Sequence, residues 1–108
     1  MIRLALGLTL TLLLVGGEAS AADAPAGKAI FDHNCAPCHA KGPGHAGTQR
    51  LAQIRGPANA ALEDRTDLSA DYVRLVVRHG LVEMPAWRLT EINDAELNQL
   101  AQYLARAK

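Results

Sequence analysis

Cys35-Ala36-Pro37-Cys38-His39 places two thiols and an imidazole in little more than one helical turn. No other segment of the chain concentrates so much ligand chemistry, and whatever the fold is, it has to be built around this turn. The rest of the sequence explains why such a staple is needed. A chain of 108 residues has room for one domain. Small domains bury a limited fraction of their surface and often lean on a disulfide, a metal or a bound group. Aromatic residues beyond the leader are few, namely Phe31, Tyr72, Trp87 and Tyr103, so a large apolar ligand would supply core that the side chains do not.

Three chemistries compete for the motif. A C-x-x-C-H run is the attachment signature of c-type haem: the thiols can add to two vinyl groups while the following imidazole projects beneath the iron. A thiol pair is the second reading: a Cys35–Cys38 disulfide is allowed in an oxidising compartment, and C-x-x-C also occurs in thioredoxin-like redox centres, though the thioredoxin-like form expects a βαβ pattern and no alternating run long enough for a strand is found. A zinc site using Cys35, Cys38, His39 and His45 is the third. Structural zinc sites, however, present their ligand pairs on separate turns. The motif favours haem.

If His39 fills one axial position, the other needs a strong or soft donor far along the chain. Met84 is the sole methionine beyond the initiator. It stands in Glu83-Met84-Pro85-Ala86-Trp87, where Pro85 blocks helix and stiffens the loop. His/Met ligation raises a haem's reduction potential. A lone methionine is otherwise core filler, and His33, His45 and His79 are the rival donors, His79 the most serious of them. Two protein ligands leave no open position for a substrate, so the expected role is one-electron transfer and not catalysis at iron.

The secondary-structure reading is all-α, with three to five short helices joined by glycine-rich loops. A first helix opens at Pro25-Ala26-Gly27 and ends at the cysteine motif. Lys41 to Gly47 reads as loop, and Thr48 to Glu63 as weak helix broken at Gly56-Pro57. A clearer helix follows Ser69, a good N-cap, and stops at Gly80. Leu81 to Glu91 reads as loop. The last helix begins near Asn93 or Asp94, with Glu96 as capping-box partner and Leu97, Leu100, Ala101 and Leu104 on one buried face.

Residues 1–22 read as a cleaved secretory leader: Arg3, an apolar run from Leu4 to Val15, then Ala19-Ser20-Ala21-Ala22. The run is shorter than the roughly 20 residues that span a bilayer. The expected product is an exported, periplasmic domain covering residues 23–108, with cleavage after Ala21 or Ala22 and no stable membrane insertion. The whole chain has 11 basic and 11 acidic residues, and the leader removes one of each. This balance gives no reason to propose nucleic acid as a partner.

With these residues on the page, the chain resembles the class I c-type cytochromes. Gly27-Lys28-Ala29-Ile30-Phe31 looks like the family's N-terminal helix, and Leu100-Ala101-Gln102-Tyr103-Leu104 like its C-terminal helix. The resemblance implies that the two cross near Gly27, Phe31, Leu100 and Tyr103, around one covalent haem c whose iron lies between His39 and Met84. It also implies a redox donor and acceptor as partners. Val73-Arg74-Leu75-Val76-Val77-Arg78-His79-Gly80 and Met84-Pro85-Ala86-Trp87 are similar to the cytochrome subunits of flavoprotein alkylphenol hydroxylases of the p-cresol methylhydroxylase type. A dedicated subunit of a periplasmic flavoprotein oxidoreductase is therefore the alternative to a diffusing carrier, and a haem-free thiol or zinc module the third reading. The chain departs from the family in one respect. The usual Gly-Pro after the motif, whose carbonyl orients the axial histidine, comes very early at Gly42-Pro43 or rather late at Gly56-Pro57. The acceptor of the His39 N–H is thus not named by the sequence. Arg50, Arg55 and Arg65 are candidate partners for the haem propionates.

Overall fold

Two helices at opposite ends of the sequence cross and make the centre of the molecule, and glycine is what lets them do so. In the computed structural model, which describes residues 23–106, helix α1 (Asp23–Ile30) packs on helix α5 (Asp94–Ala105) more extensively than any other pair of elements. At Gly27 an added Cβ would stand 2.4 Å from the Gln99 carbonyl oxygen and 2.5 Å from Tyr103 Cβ. Both neighbours are fixed parts of a helix, so only glycine permits this approach. Phe31 and Tyr103 then meet with ring centroids 6.1 Å apart, and Leu100 is fully buried. The crossing implied by the family resemblance is present at each of its four residues.

The first helix does not end at the cysteine motif. It widens into a single π turn over Phe31–Cys35 and resumes as helix α2 (Ala36–His39). Pro37 is the reason. Without an N–H it cannot bond to the His33 carbonyl, and its ring crowds that oxygen in a regular α-ladder. The ladder therefore steps to Ala36 N–H donating to the Phe31 carbonyl, and Pro37 sits in the first turn of the new segment, where no donor is needed. The Asn34 side chain donates to the Ile30 carbonyl at 3.1 Å, adding a bond where the turn widens. Where the first helix was expected to end, it changes pitch and runs on through the motif.

Helix α3 (Ala46–Arg55) starts inside the segment expected to be loop, taking in Ala46 and Gly47. Its start is held by Gln49 N–H on the His45 carbonyl and by Thr48 Oγ1 donating to the Ala40 carbonyl at 2.8 Å. Gly56, at φ 84°, ends it as expected, and short 3-10 turns follow at Pro57–Asn59 and Leu62–Asp64. Helix α4 (Ala70–His79) is capped by Ser69, whose hydroxyl accepts from Tyr72 N–H at 3.1 Å. In α5 the Asn93–Glu96 capping box is complete, and Leu97, Leu100, Ala101 and Leu104 are all buried. Among the described residues no strand forms, only an isolated antiparallel bridge between Leu81 and Met84. The segment read as leader lies outside the described residues, and no described helix is long and apolar enough to cross a membrane.

Candidate functional site

Helix α4 packs on α5, and α3 stands apart from that pair. Between them lies an apolar cleft, open to solvent on one side, the concave setting typical of small-molecule and cofactor sites. Its walls are aliphatic: Leu51 and Ile54 from α3, Leu62 and Leu68 from the connection, Val73, Val76 and Val77 from α4, and Leu100 and Leu104 from α5. Cys35, His39 and Met84 also line it. Three residues spread over the chain thus face one apolar space.

The other donors do not. His79, the serious rival to Met84, is exposed at the end of α4 and does not line the cavity. His33 is exposed as well, and His45 is committed elsewhere, its Nδ1 donating to the Pro37 carbonyl at 3.0 Å. No group of three or more His, Cys, Asp or Glu side chains among the described residues is placed to hold a metal ion, which removes the geometric basis of the zinc reading. The two thiols are free, Cys35 buried and Cys38 exposed. Cys38 does not line the cavity.

Burial has chemical consequences for the proximal pair. It pushes the Cys35 thiol up to about 11, first by desolvation and secondarily by the neighbouring Cys38. It pulls the His39 imidazole below its ordinary value, because an imidazolium is poorly solvated there. The neutral imidazole is the form that can bind a metal. His39 Nδ1 is buried and has no hydrogen-bond partner among the side chains and backbone around it, the structural counterpart of the displaced Gly-Pro. In place of an acceptor the ring has a wall. A Cβ added at Gly47 would stand 2.6 Å from His39 Cε1, 2.8 Å from Nδ1 and 2.8 Å from the Cys38 carbonyl oxygen. Gly47 was not singled out from the sequence, where it read as one more loop glycine. Nothing in its local sequence marks it, because the contact is made with a ring on another segment.

Met84 sits at the end of a tight turn. Leu81 and Met84 exchange both backbone bonds, at 3.0 and 2.9 Å, and Val82 between them takes φ 54°, a strained value for a β-branched residue. Gly80, at φ 75°, leaves α4 so closely beneath this turn that a Cβ there would be 2.6 Å from the Met84 carbonyl oxygen. Met84 is half-buried and packs on the hydrophobic core.

A family model described as "Cytochrome C oxidase, cbb3-type, subunit III" matches residues 22–104. The chain belongs to the c-type cytochromes. Its relatives include the chloroplastic cytochrome c6 of Chlamydomonas reinhardtii, 32% identical over 104 residues that cover 93% of this chain and 66% of that protein. They also include the cytochrome c subunit of 4-cresol dehydrogenase [hydroxylating] from Pseudomonas putida, 31% identical over 95 residues, 87% of this chain and 72% of that one. No solved structure matches the chain.

Cytochromes of this family carry haem c bonded covalently to the protein and use its iron to transfer electrons, and the cavity of this cytochrome fits that group. The space is apolar, bordered by a thiol and a neutral imidazole on one side and a thioether on another. Ile54, Tyr72 and Leu81 line it and yet remain 58%, 38% and 50% exposed, so a flat apolar ligand would cover surface that water now meets. Arg55 and Arg65 are the cationic wall residues. Arg65 is 6% exposed and bonds Asp67 through two nitrogens at 2.8 and 2.7 Å, and this pairing raises its already high pKa further. Arg50, the third candidate, points instead to Glu83 at 3.6 Å and does not line the cavity.

Proposed function

We propose that this protein is an exported electron carrier in which Cys35 and Cys38 hold a single haem through thioether bonds, with His39 and Met84 as its axial ligands. The observation that supports this most is the convergence of Cys35, His39 and Met84 on one apolar cavity that His33 and His79 do not reach. The haem supplies a one-electron iron couple. Everything else is the work of the chain. Burial favours the neutral form of His39, and the bare Gly47 leaves the room its ring needs against α3. Met84 offers a soft thioether that favours the reduced state. The aliphatic walls would shield the group from water, and Arg55 and Arg65, the cations of the cavity wall, would be the partners for its propionates. With His39 and Met84 both holding the iron, no position would be left for a substrate, which is the chemistry of a carrier.

Covalent haem that survives denaturing electrophoresis, and is lost from the Cys35→Ala, Cys38→Ala double variant, is the expected result. Colourless, correctly exported protein would sink the proposal and revive the thiol module. The leader reading predicts a mature chain that begins at Ala22 or Asp23, which intact mass measures directly.

A second reading is favoured by one relative, the cytochrome subunit of 4-cresol dehydrogenase. Under it the protein is the fixed electron-accepting subunit of a flavoprotein oxidoreductase. The even balance of charge, which offers little long-range steering toward a transient partner, is compatible with it. Gel filtration with the product of a neighbouring flavoprotein gene distinguishes the two, since a diffusing carrier forms no complex that survives the column.

A further inference from the structure

We infer that Arg78 is a positioning residue for Met84, holding the loop that carries the thioether against the last turn of α4. The inference rests on the proposed role of Met84 as a ligand. Between Gly80 and Trp87 the chain leaves α4 and returns to it. The outgoing end is fixed by backbone alone, with Gly80 N–H on the Val76 carbonyl at 2.7 Å followed by the Leu81–Met84 turn. The returning end is fixed at Trp87, and there both backbone groups are held by α4. Its N–H donates to the Val77 carbonyl at 2.8 Å, and its carbonyl accepts from Arg78 Nη1 at 3.2 Å.

The same guanidinium reaches onward. Arg78 Nη2 donates to Asp94 Oδ1 at 2.9 Å, in the first turn of α5, and the Arg78 side chain is only 20% exposed. One planar group thus joins the end of α4, the far end of the Met84 loop and the start of α5, using the fork geometry that distinguishes arginine from lysine. Val82 makes such a clamp necessary. Its left-handed φ and 90% exposure mean that the turn next to Met84 stores strain without apolar burial to offset it. A loop of that kind opens locally unless its ends are tied.

Arg74 provides the internal control. It lies one turn earlier on α4 and also crosses to α5, but its hydrogen bonds go to Asn98 and Asp71, each at 2.8 Å. Its loss weakens the α4–α5 junction and leaves the loop tied. Holoprotein carrying Arg78→Gln, Arg78→Lys or Arg74→Gln is reduced and mixed with carbon monoxide, which binds the iron only when Met84 has let go, and the thermal midpoint of each is recorded. Arg78→Gln is expected to bind the gas about tenfold faster than the parent or more, as loss of a charge-assisted bond to the loop implies. Arg78→Lys should fall between them, and Arg74→Gln should match the parent in binding even though its midpoint drops. If Arg78→Gln does not hold haem, exchange of the Trp87 amide hydrogen in Arg78→Lys takes its place, with faster exchange expected there than in Arg74→Gln.

Parental binding in Arg78→Gln, or an equal rise in Arg74→Gln, overturns the inference. Met84→Ala run alongside separates two failures. If it opens the iron while Arg78→Gln stays closed, only the role of Arg78 is lost. If Met84→Ala leaves the iron closed, the ligand assignment is wrong and the clamp goes with it.

Discussion

The two sides of the cavity are built by opposite means. On the proximal side, Phe31 to Gly47, the helical run, its π turn and the start of α3 lie close together in sequence, and local rules place the chemistry. Pro37 sets the pitch, Asn34 bonds the Ile30 carbonyl, and Gly47 brings α3 against the imidazole. On the distal side, Gly80 to Trp87, almost nothing is local except one strained turn, and the loop depends on bonds to α4 and, through Arg78, to α5. A ligand embedded in a helix beside its own covalent attachments is hard to displace. One carried on a loop is held only as firmly as the tertiary structure around it. The proximal half is therefore expected to fail all at once and the distal half by degrees.

The largest effect tests the proximal half. His39→Ala should abolish the low-spin visible spectrum of the reduced protein; a normal spectrum in that variant would place the axial ligand elsewhere. Next comes Met84→Ala, which should leave haem attached, open the iron to carbon monoxide and lower the reduction potential in a voltammetric titration. An unchanged potential would transfer the role to another donor and dissolve the contrast between the two sides. Gly27→Ala comes third. Its Cβ meets the Gln99 backbone and Tyr103, and overpacking of that kind costs about 1–3 kcal/mol, seen as a lower denaturant midpoint with the ligand spectrum intact. Asn93→Ala should be milder, about 1 kcal/mol for a lost N-cap, because the capping box starts α5 at the end the Met84 loop leans on.

The smallest effect is a matter of pH. Glu91 sits below its ordinary value because it accepts first from the Arg88 backbone N–H, at 2.8 Å, and then from the Arg88 side chain. A lowered carboxyl pKa means that its contribution is complete above the ordinary glutamate range and is lost as pH falls through the lowered value. Glu91→Gln should therefore narrow the gap in thermal midpoint between neutral and acid conditions. A gap that widens would reverse the sign of that contact.

Much of this was legible in the sequence because it follows local rules. The cysteine motif announces its own chemistry. Ser69 and the Asn93–Glu96 pair mark helix starts that the structure reproduces, and the spacing of Leu97, Leu100, Ala101 and Leu104 gives the buried face of α5. What could not be read depends on contacts between distant segments. Gly47 looks like any loop glycine, and Gly80 like no more than a helix stop, until another part of the chain is brought against them. The expected end of the first helix at the motif gives way to a π turn that carries the helix through Pro37, which its local sequence does not announce. The orientation of the cysteines was not legible either, since spacing alone does not reveal that Cys35 is buried in the cavity wall while Cys38 faces out. Arg78 lies in the stretch that carries the alkylphenol-hydroxylase resemblance, but nothing in the sequence singles it out there, because an arginine near the end of a helix is ordinary and its contacts with Trp87 and Asp94 are tertiary.

Proton NMR of the reduced holoprotein addresses the central claim most directly. A methionine methyl group bound at iron lies over the face of the porphyrin and is strongly shielded by its ring current. The account predicts one such methyl resonance far upfield of all others, assigned to Met84 and missing from the Met84→Ala variant. A spectrum without that resonance, or one that keeps it when Met84 is replaced, would contradict the account.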